Sequence, residues 1–204
     1  MKIYADIKSG NCYKIALLCS LLKIEHQWIH IDILKGESNT SEFLSKNSNG
    51  KIPLLELDTG QCLAESNAIL NYLAEGSRLL ASNSLQRATI LQWQFFEQYS
   101  HEPFIAVARY INLYLGLPKA REQEYYELQT GGHKALAIIE KQLSESAYLT
   151  GPQLSIADIS LYAYTHVAHE GGFELSQYPK IVAWCKSIEA EPGYISMDGF
   201  SHKG

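Results

Sequence analysis

The stretch KIYADIKSGNCYKIALLCSLLKIEHQWIHIDI, residues 2–33, decides the fold. Lys2 to Asp6 reads as a short strand, and Gln27 to Ile33 as a second, since Trp28, Ile29 and Ile31 suit a half-buried pleat. Between them Ile15, Leu18, Cys19 and Leu22 fall at i, i+3, i+4 and i+7, the spacing of a helix face. A strand, a helix and a parallel strand must cross over right-handedly. The chain therefore begins by building a sheet with at least one covered face.

Working outward, Ser41 to Lys46 reads as a short helix, and Asn47-Ser48-Asn49-Gly50 is a run of turn formers. Ile52 to Leu57 and Gln61 to Ala64 pair as a hairpin through Asp58-Thr59-Gly60, and helix resumes from Ser66 to Ala74. The order β-α-β-α-β-β-α adds an antiparallel hairpin to a sheet begun in parallel. Gly76, Ser77, Ser82, Asn83 and Ser84 then interrupt the pattern, and no convincing strand follows. Helices are predicted over Leu85 to Leu115 with a kink at Pro103, Pro118 to Leu143 with Pro118 in the first helical position, Ser155 to His169, and Pro179 to Glu189. At one of these starts Ser155 can cap, Asp158 can return the hydrogen bond, and Leu154 can staple onto Ile159. We expect an α/β domain over residues 1–75, a linker over 76–84 and an all-helical domain over 85–204.

The 204 residues are 46% hydrophobic and 19% charged, which excludes a disordered chain. The net charge is −5 and the basic residues are scattered, so nucleic acid is not an expected partner. Ile15 to Leu22, the longest nearly uncharged apolar run near the start, is far short of the roughly 20 residues of a membrane span. Neither a membrane partner nor a signal peptide is expected. The four cysteines, Cys12, Cys19, Cys62 and Cys185, form no C-x-x-C pair and no zinc spacing, which fits a reducing cytoplasm. His166 and His169 are three apart on one helix, but no third metal ligand follows from spacing.

Chemistry is suggested in three places. Ser9-Gly10-Asn11-Cys12 starts the first helix, where N–H groups and the helix dipole favour an anion such as a thiolate. Lowering a thiol pKa from about 8.5 to between 6 and 7 takes roughly 2–3.5 kcal/mol, more than the dipole's 0.3–1 kcal/mol, so a directed hydrogen bond is needed. Ser9 and Asn11 are the available donors, and the Cys12 thiolate is a rival nucleophile. Ile52-Pro53 places a proline at a strand start, where a cis bond would free the backbone of Ile52 for an extended peptide. Glu65-Ser66 opens a helix and could clamp the ammonium and carboxylate of an α-amino acid.

Together these features suit a short thiol peptide, and the chain resembles a cytosolic glutathione transferase. The resemblance rests on Ser9, Asn49-Gly50-Lys51-Ile52-Pro53, Glu65-Ser66, Ser155-Ile156-Ala157-Asp158 and Tyr178-Pro179 with Trp184, in that order. It implies a thioredoxin-like N-terminal domain that binds glutathione as co-substrate, with no other cofactor, and an all-α C-terminal domain that supplies most of a pocket for a small apolar electrophile. It also implies a cytoplasmic detoxification enzyme, usually a homodimer. By position Ser9 is implied to activate the thiol, with Asn11 and Cys12 nearby; other members carry cysteine or tyrosine in that role, and Tyr4 reads as a strand residue. Ile52 beside Pro53 is implied to meet the cysteinyl unit, Glu65 and Ser66 the γ-glutamyl group, and Lys35 and Lys51 the glycine carboxylate. Tyr99, Arg109, Tyr110 and Tyr114 are candidates for the electrophile wall. Some relatives with an amide at this helix start reduce disulfides, and transferase-like folds also serve as non-catalytic binding modules.

Overall fold

Strand β1 (Lys2–Ala5) is central to a four-stranded sheet of order β2-β1-β3-β4 in the computed structural model, which describes residues 1–198. It pairs in parallel with β2 (Gln27–His30) and antiparallel with β3 (Leu54–Glu56), which pairs antiparallel with β4 (Cys62–Ala64). Helices α1 (Gly10–Leu22), α2 (Ser41–Lys46) and α3 (Ser66–Leu73) complete the predicted β-α-β-α-β-β-α order. Residues alternate between faces along a strand. On one side Leu54 and Ile31 join Phe43 of α2, with Tyr4, Ile33, Ile52 and Ala64 packed against them. Ile3, Ala5 and Leu55, each 0% exposed, alternate to the other side.

The chain divides into two units, and residues 191–198 return to the first. Tyr13 Oη donates to the carbonyl of Ile195 at 2.7 Å and Ser20 Oγ to that of Gly193 at 2.6 Å. This cover, together with α3, explains why α1 is buried on nearly every side rather than along the single stripe that the spacing suggests.

The second unit, residues 78–190, is helical, as predicted. Its first long helix does not simply kink. Helix α4 (Ser84–Phe96) passes through a wider π turn at Glu97–His101 into α5 (Glu102–Arg109), followed by a second π turn at Tyr110–Tyr114. Pro103 has no N–H to give an i−4 carbonyl, and Glu102 N reaches Glu97 O, five residues back. Pro118 is likewise not in the first helical position. It is extended and precedes a 3₁₀ turn, Lys119–Arg121, from which α6 (Glu122–Glu145) continues. Midway along α6 the pair Gly131-Gly132 admits two aromatic rings, because a Cβ on either would lie 2.2 Å from Phe104 or Phe173. Helix α7 (Ile156–Thr165) ends before His169, and α8 (Pro179–Glu189) matches its predicted range. No described helix is long and apolar enough to cross a membrane.

Candidate functional site

Sheet register brings the chemistry-bearing segments to one end. Tyr4, Leu54 and Ala64 lie level across β1, β3 and β4. Past that level β1 leads to Ser9, β3 is entered from Ile52-Pro53, and β4 runs into Glu65-Ser66.

Ser9 is the N-cap of α1, and its Oγ accepts from Cys12 N at 3.4 Å. No acidic residue lies in the first turn to offset the positive end of the helix dipole, which favours an anion there. One turn in, Lys14 is 0% exposed, and its Nζ donates to Asn11 Oδ1 at 2.7 Å and Ser66 Oγ at 3.3 Å. The Ser66 hydroxyl in turn donates to Asn11 Oδ1 at 3.1 Å. With its hydroxyl proton directed at Asn11, Ser66 offers a carboxylate its main-chain N–H, which as a first-turn group of α3 has no i−4 carbonyl within the helix. Glu65, exposed at the N-cap of α3, is held at φ 68° and ψ 115°, a region that an L residue rarely adopts.

The Ile52-Pro53 peptide is cis. Asn47 braces the approach to it, giving Nδ2 to the carbonyl of Lys51 at 2.7 Å and taking Asn49 N on Oδ1 at 3.1 Å. The Lys51 side chain is exposed. Lys35 is tied within its own turn, with Nζ 3.0 Å from Asp32 Oδ2. Cys12 is 0% exposed, and burial pushes its thiol up to about 12, so it is a poor nucleophile at neutral pH. Tyr4 gives its hydroxyl to Glu56 Oε2 at 2.7 Å, and Lys46 lies over its ring.

In the helical unit Arg109 is 3% exposed and ion-paired with Glu170. Tyr110 and Tyr114 pack ring against ring at 5.3 Å, whereas Tyr99 is 77% exposed. The four electrophile candidates thus differ in environment: one buried ion pair, one ring pair and one surface ring. His166 stacks on Tyr162 at 4.5 Å, and burial lowers it to about 4, while His169 is exposed. Among the described residues no three of His, Cys, Asp and Glu gather as metal ligands.

The N-terminal domain model of the glutathione S-transferases matches residues 1–75, and the C-terminal domain model matches residues 94–192. A glutathione S-transferase crystal structure from Pseudomonas fluorescens is 58% identical, with a TM-score of 0.95 over 96% of this chain and 98% of that one. The chain belongs to the glutathione S-transferase family. A second family structure, from Xanthobacter autotrophicus, is 39% identical with a TM-score of 0.93, covering 97% of each chain. Among relatives by sequence, the disulfide-bond oxidoreductase YfcG of Escherichia coli is 30% identical over 189 residues, or 89% of this chain and 87% of that protein.

Membership in the glutathione S-transferase family does not by itself single out Lys14, and the sequence reading passed over it. A usable signal was present: a lone lysine inside the apolar run of α1, three residues after Asn11 and so on the same helix face.

Proposed function

We propose that the chain binds reduced glutathione across Asn11, Ile52, Glu65 and Ser66 and presents its thiolate to a small apolar electrophile. The observation that carries this reading is the hydrogen-bonded contact between Asn11, at the thiol end, and Ser66, at the γ-glutamyl end. Ser9 or Asn11 donates to the sulfur, whose proton passes to solvent. The thiolate then forms a carbon–sulfur bond as the electrophile's leaving group departs with its electron pair. Glu65 holds the ammonium and the N–H of Ser66 the carboxylate of the γ-glutamyl group. Of the two lysines Lys51 is the better placed to meet the glycine carboxylate, because Asp32 already holds Lys35. A second copy of the chain completes a homodimer, and the enzyme serves detoxification in the cytoplasm.

A second reading, reduction of disulfides, is favoured by the likeness to YfcG. Since burial keeps Cys12 protonated, both electrons would come from glutathione: two glutathione thiols become one disulfide as the substrate disulfide becomes two thiols. Titration calorimetry with glutathione, followed by turnover on an aryl halide and on a mixed disulfide, tests both. Binding with faster aryl halide turnover is expected. Preference for the mixed disulfide moves the assignment to the second reading, and no binding at millimolar glutathione overturns both.

A further inference from the structure

We propose that Lys14 is a positioning residue that fixes which end of the Asn11 amide meets the glutathione sulfur. The inference rests on the glutathione-binding reading above and adds a residue to it. Lysine is rarely fully buried, because an ammonium withdrawn from water is costly unless hydrogen bonds replace its hydration. Lys14 is 0% exposed, and its Nζ donates to both residues that join the thiol and γ-glutamyl ends of the site.

The chemistry of the three groups leaves one arrangement. An ammonium can only donate, so the atom of Asn11 that faces it at 2.7 Å must be the carbonyl oxygen. That oxygen also accepts from Ser66 at 3.1 Å, which fills both of its lone pairs. The amide group that Asn11 can turn toward a ligand is then its NH2, a donor. A thiolate is stabilised by donors aimed at the developing charge, whereas a carbonyl oxygen in the same place would repel it. Lys14 thus decides the sign of the interaction between Asn11 and the sulfur. It also draws electron density from the amide oxygen, which makes the opposite N–H a stronger donor. Asp6, 7% exposed beyond β1, and Glu65 before α3 are the acidic groups on the neighbouring segments, and neither supplies a donor.

A lysine that merely fills space would affect stability alone. The distinguishing readout is the ultraviolet titration of the thiol of bound glutathione in the full chain, in a double-mutant cycle of Lys14→Met and Asn11→Ala. Lys14→Met is expected to move the titration upward by about one pH unit, roughly a tenfold fall in the ionisation constant of the thiol. The double variant should titrate no higher than Asn11→Ala alone, because the effect of Lys14 runs through Asn11. Lys14→Gln, which keeps one donor for the amide oxygen, should recover part of the shift. An unmoved titration in Lys14→Met, or additive shifts in the double variant, overturns the proposal. Should Lys14→Met fail to fold, the parent protein still decides. The side-chain NH2 resonances of Asn11, followed by NMR, should track the ionisation of bound glutathione but stay fixed with S-methylglutathione across the same pH range. Resonances that ignore the thiol overturn the proposal. A parent that binds no glutathione defeats the functional reading itself, a result distinct from any of these.

Discussion

Among the described residues two helices begin with a serine cap, Ser9 before α1 and Ser155 before α7, and their surroundings are opposite. At the start of α7 the Asp158 carboxylate, 0% exposed, takes the N–H of Leu149 at 2.8 Å, the N–H and hydroxyl of Ser155 at 2.9 and 2.8 Å, and the indole N–H of Trp184 at 3.0 Å. Every lone pair is answered from within the unit. At the start of α1 there is no acid in the first turn, the cap bond is long at 3.4 Å, and buried polar groups converge from two helices. A helix start whose cap and carboxylate satisfy each other is architecture; one with no carboxylate to offset its positive end suits an anionic ligand.

The largest expected effect lies at α7. Asp158→Ala strands four donors in the interior and should destabilise the full chain by roughly 3–5 kcal/mol in urea denaturation. Asp158→Asn keeps one oxygen and should cost less. Burial raises the Asp158 carboxyl above its ordinary 3.8, so the folded state holds the proton more tightly than the unfolded one. Its contribution to stability is therefore present below that value and declines as the pH rises through the folded pKa. In Asp158→Asn this decline should vanish. A loss under 1 kcal/mol in Asp158→Ala would break the contrast, because the α7 start would then not be a structural node.

Next in size is Asn11→Ala, whose effect should appear in chemistry. The thiol of bound glutathione should titrate about 1–2 pH units higher, the loss of one donor to a charged acceptor. Stability should move far less than in Asp158→Ala. An Asn11→Ala protein that unfolds readily but titrates glutathione like the parent would place α1 in the same class as α7.

These two starts were not equally legible. Ser155 and Asp158 stand three apart before an apolar run, a local pattern that sequence spacing captures in full. The sheet order was readable for a similar reason, since Asp58-Thr59-Gly60 and the period of each strand act over a few residues. The α1 site is assembled from a distance. Ser66 reaches Asn11 across 55 positions of sequence, and only the fold turns Lys14 inward. The π turn before Pro103 was also beyond the pattern, because proline announces a missing bond without saying whether the chain will bend or widen. Glu65 gave no sign of its positive φ, a conformation that residue type announces only for glycine and, less often, asparagine or aspartate.

Glu65 provides the third test. Glycine adopts φ 68° without the penalty that a side chain incurs, so Glu65→Gly should raise stability by up to about 1 kcal/mol, less the entropy of a freer unfolded chain. Glutathione affinity should fall roughly tenfold with the loss of the carboxylate. Opposite signs in the two measurements would show backbone strain held for binding. A variant that is less stable and binds equally well would make Glu65 an ordinary helix start.

The smallest effect sets the two caps side by side. Ser155→Ala removes a buried hydroxyl that donates to Asp158 at 2.8 Å and should cost about 1 kcal/mol or more. Ser9→Ala removes an acceptor 3.4 Å from its donor, so its cost should lie near the lower limit for caps, about 0.5 kcal/mol. Because so little of Ser9 is spent on the helix, its hydroxyl can be judged almost purely as chemistry. If Ser9 is the main donor to the sulfur, Ser9→Ala should displace the bound-thiol titration more than Asn11→Ala does. If Asn11 is, as the amide orientation set by Lys14 favours, the order reverses and Ser9→Ala leaves the titration within a few tenths of a pH unit of the parent. A Ser9→Ala chain destabilised as much as Ser155→Ala would mean that the cap of α1 also belongs to the architecture, and the distinction between the two helix starts would rest on Asn11 and Lys14 alone.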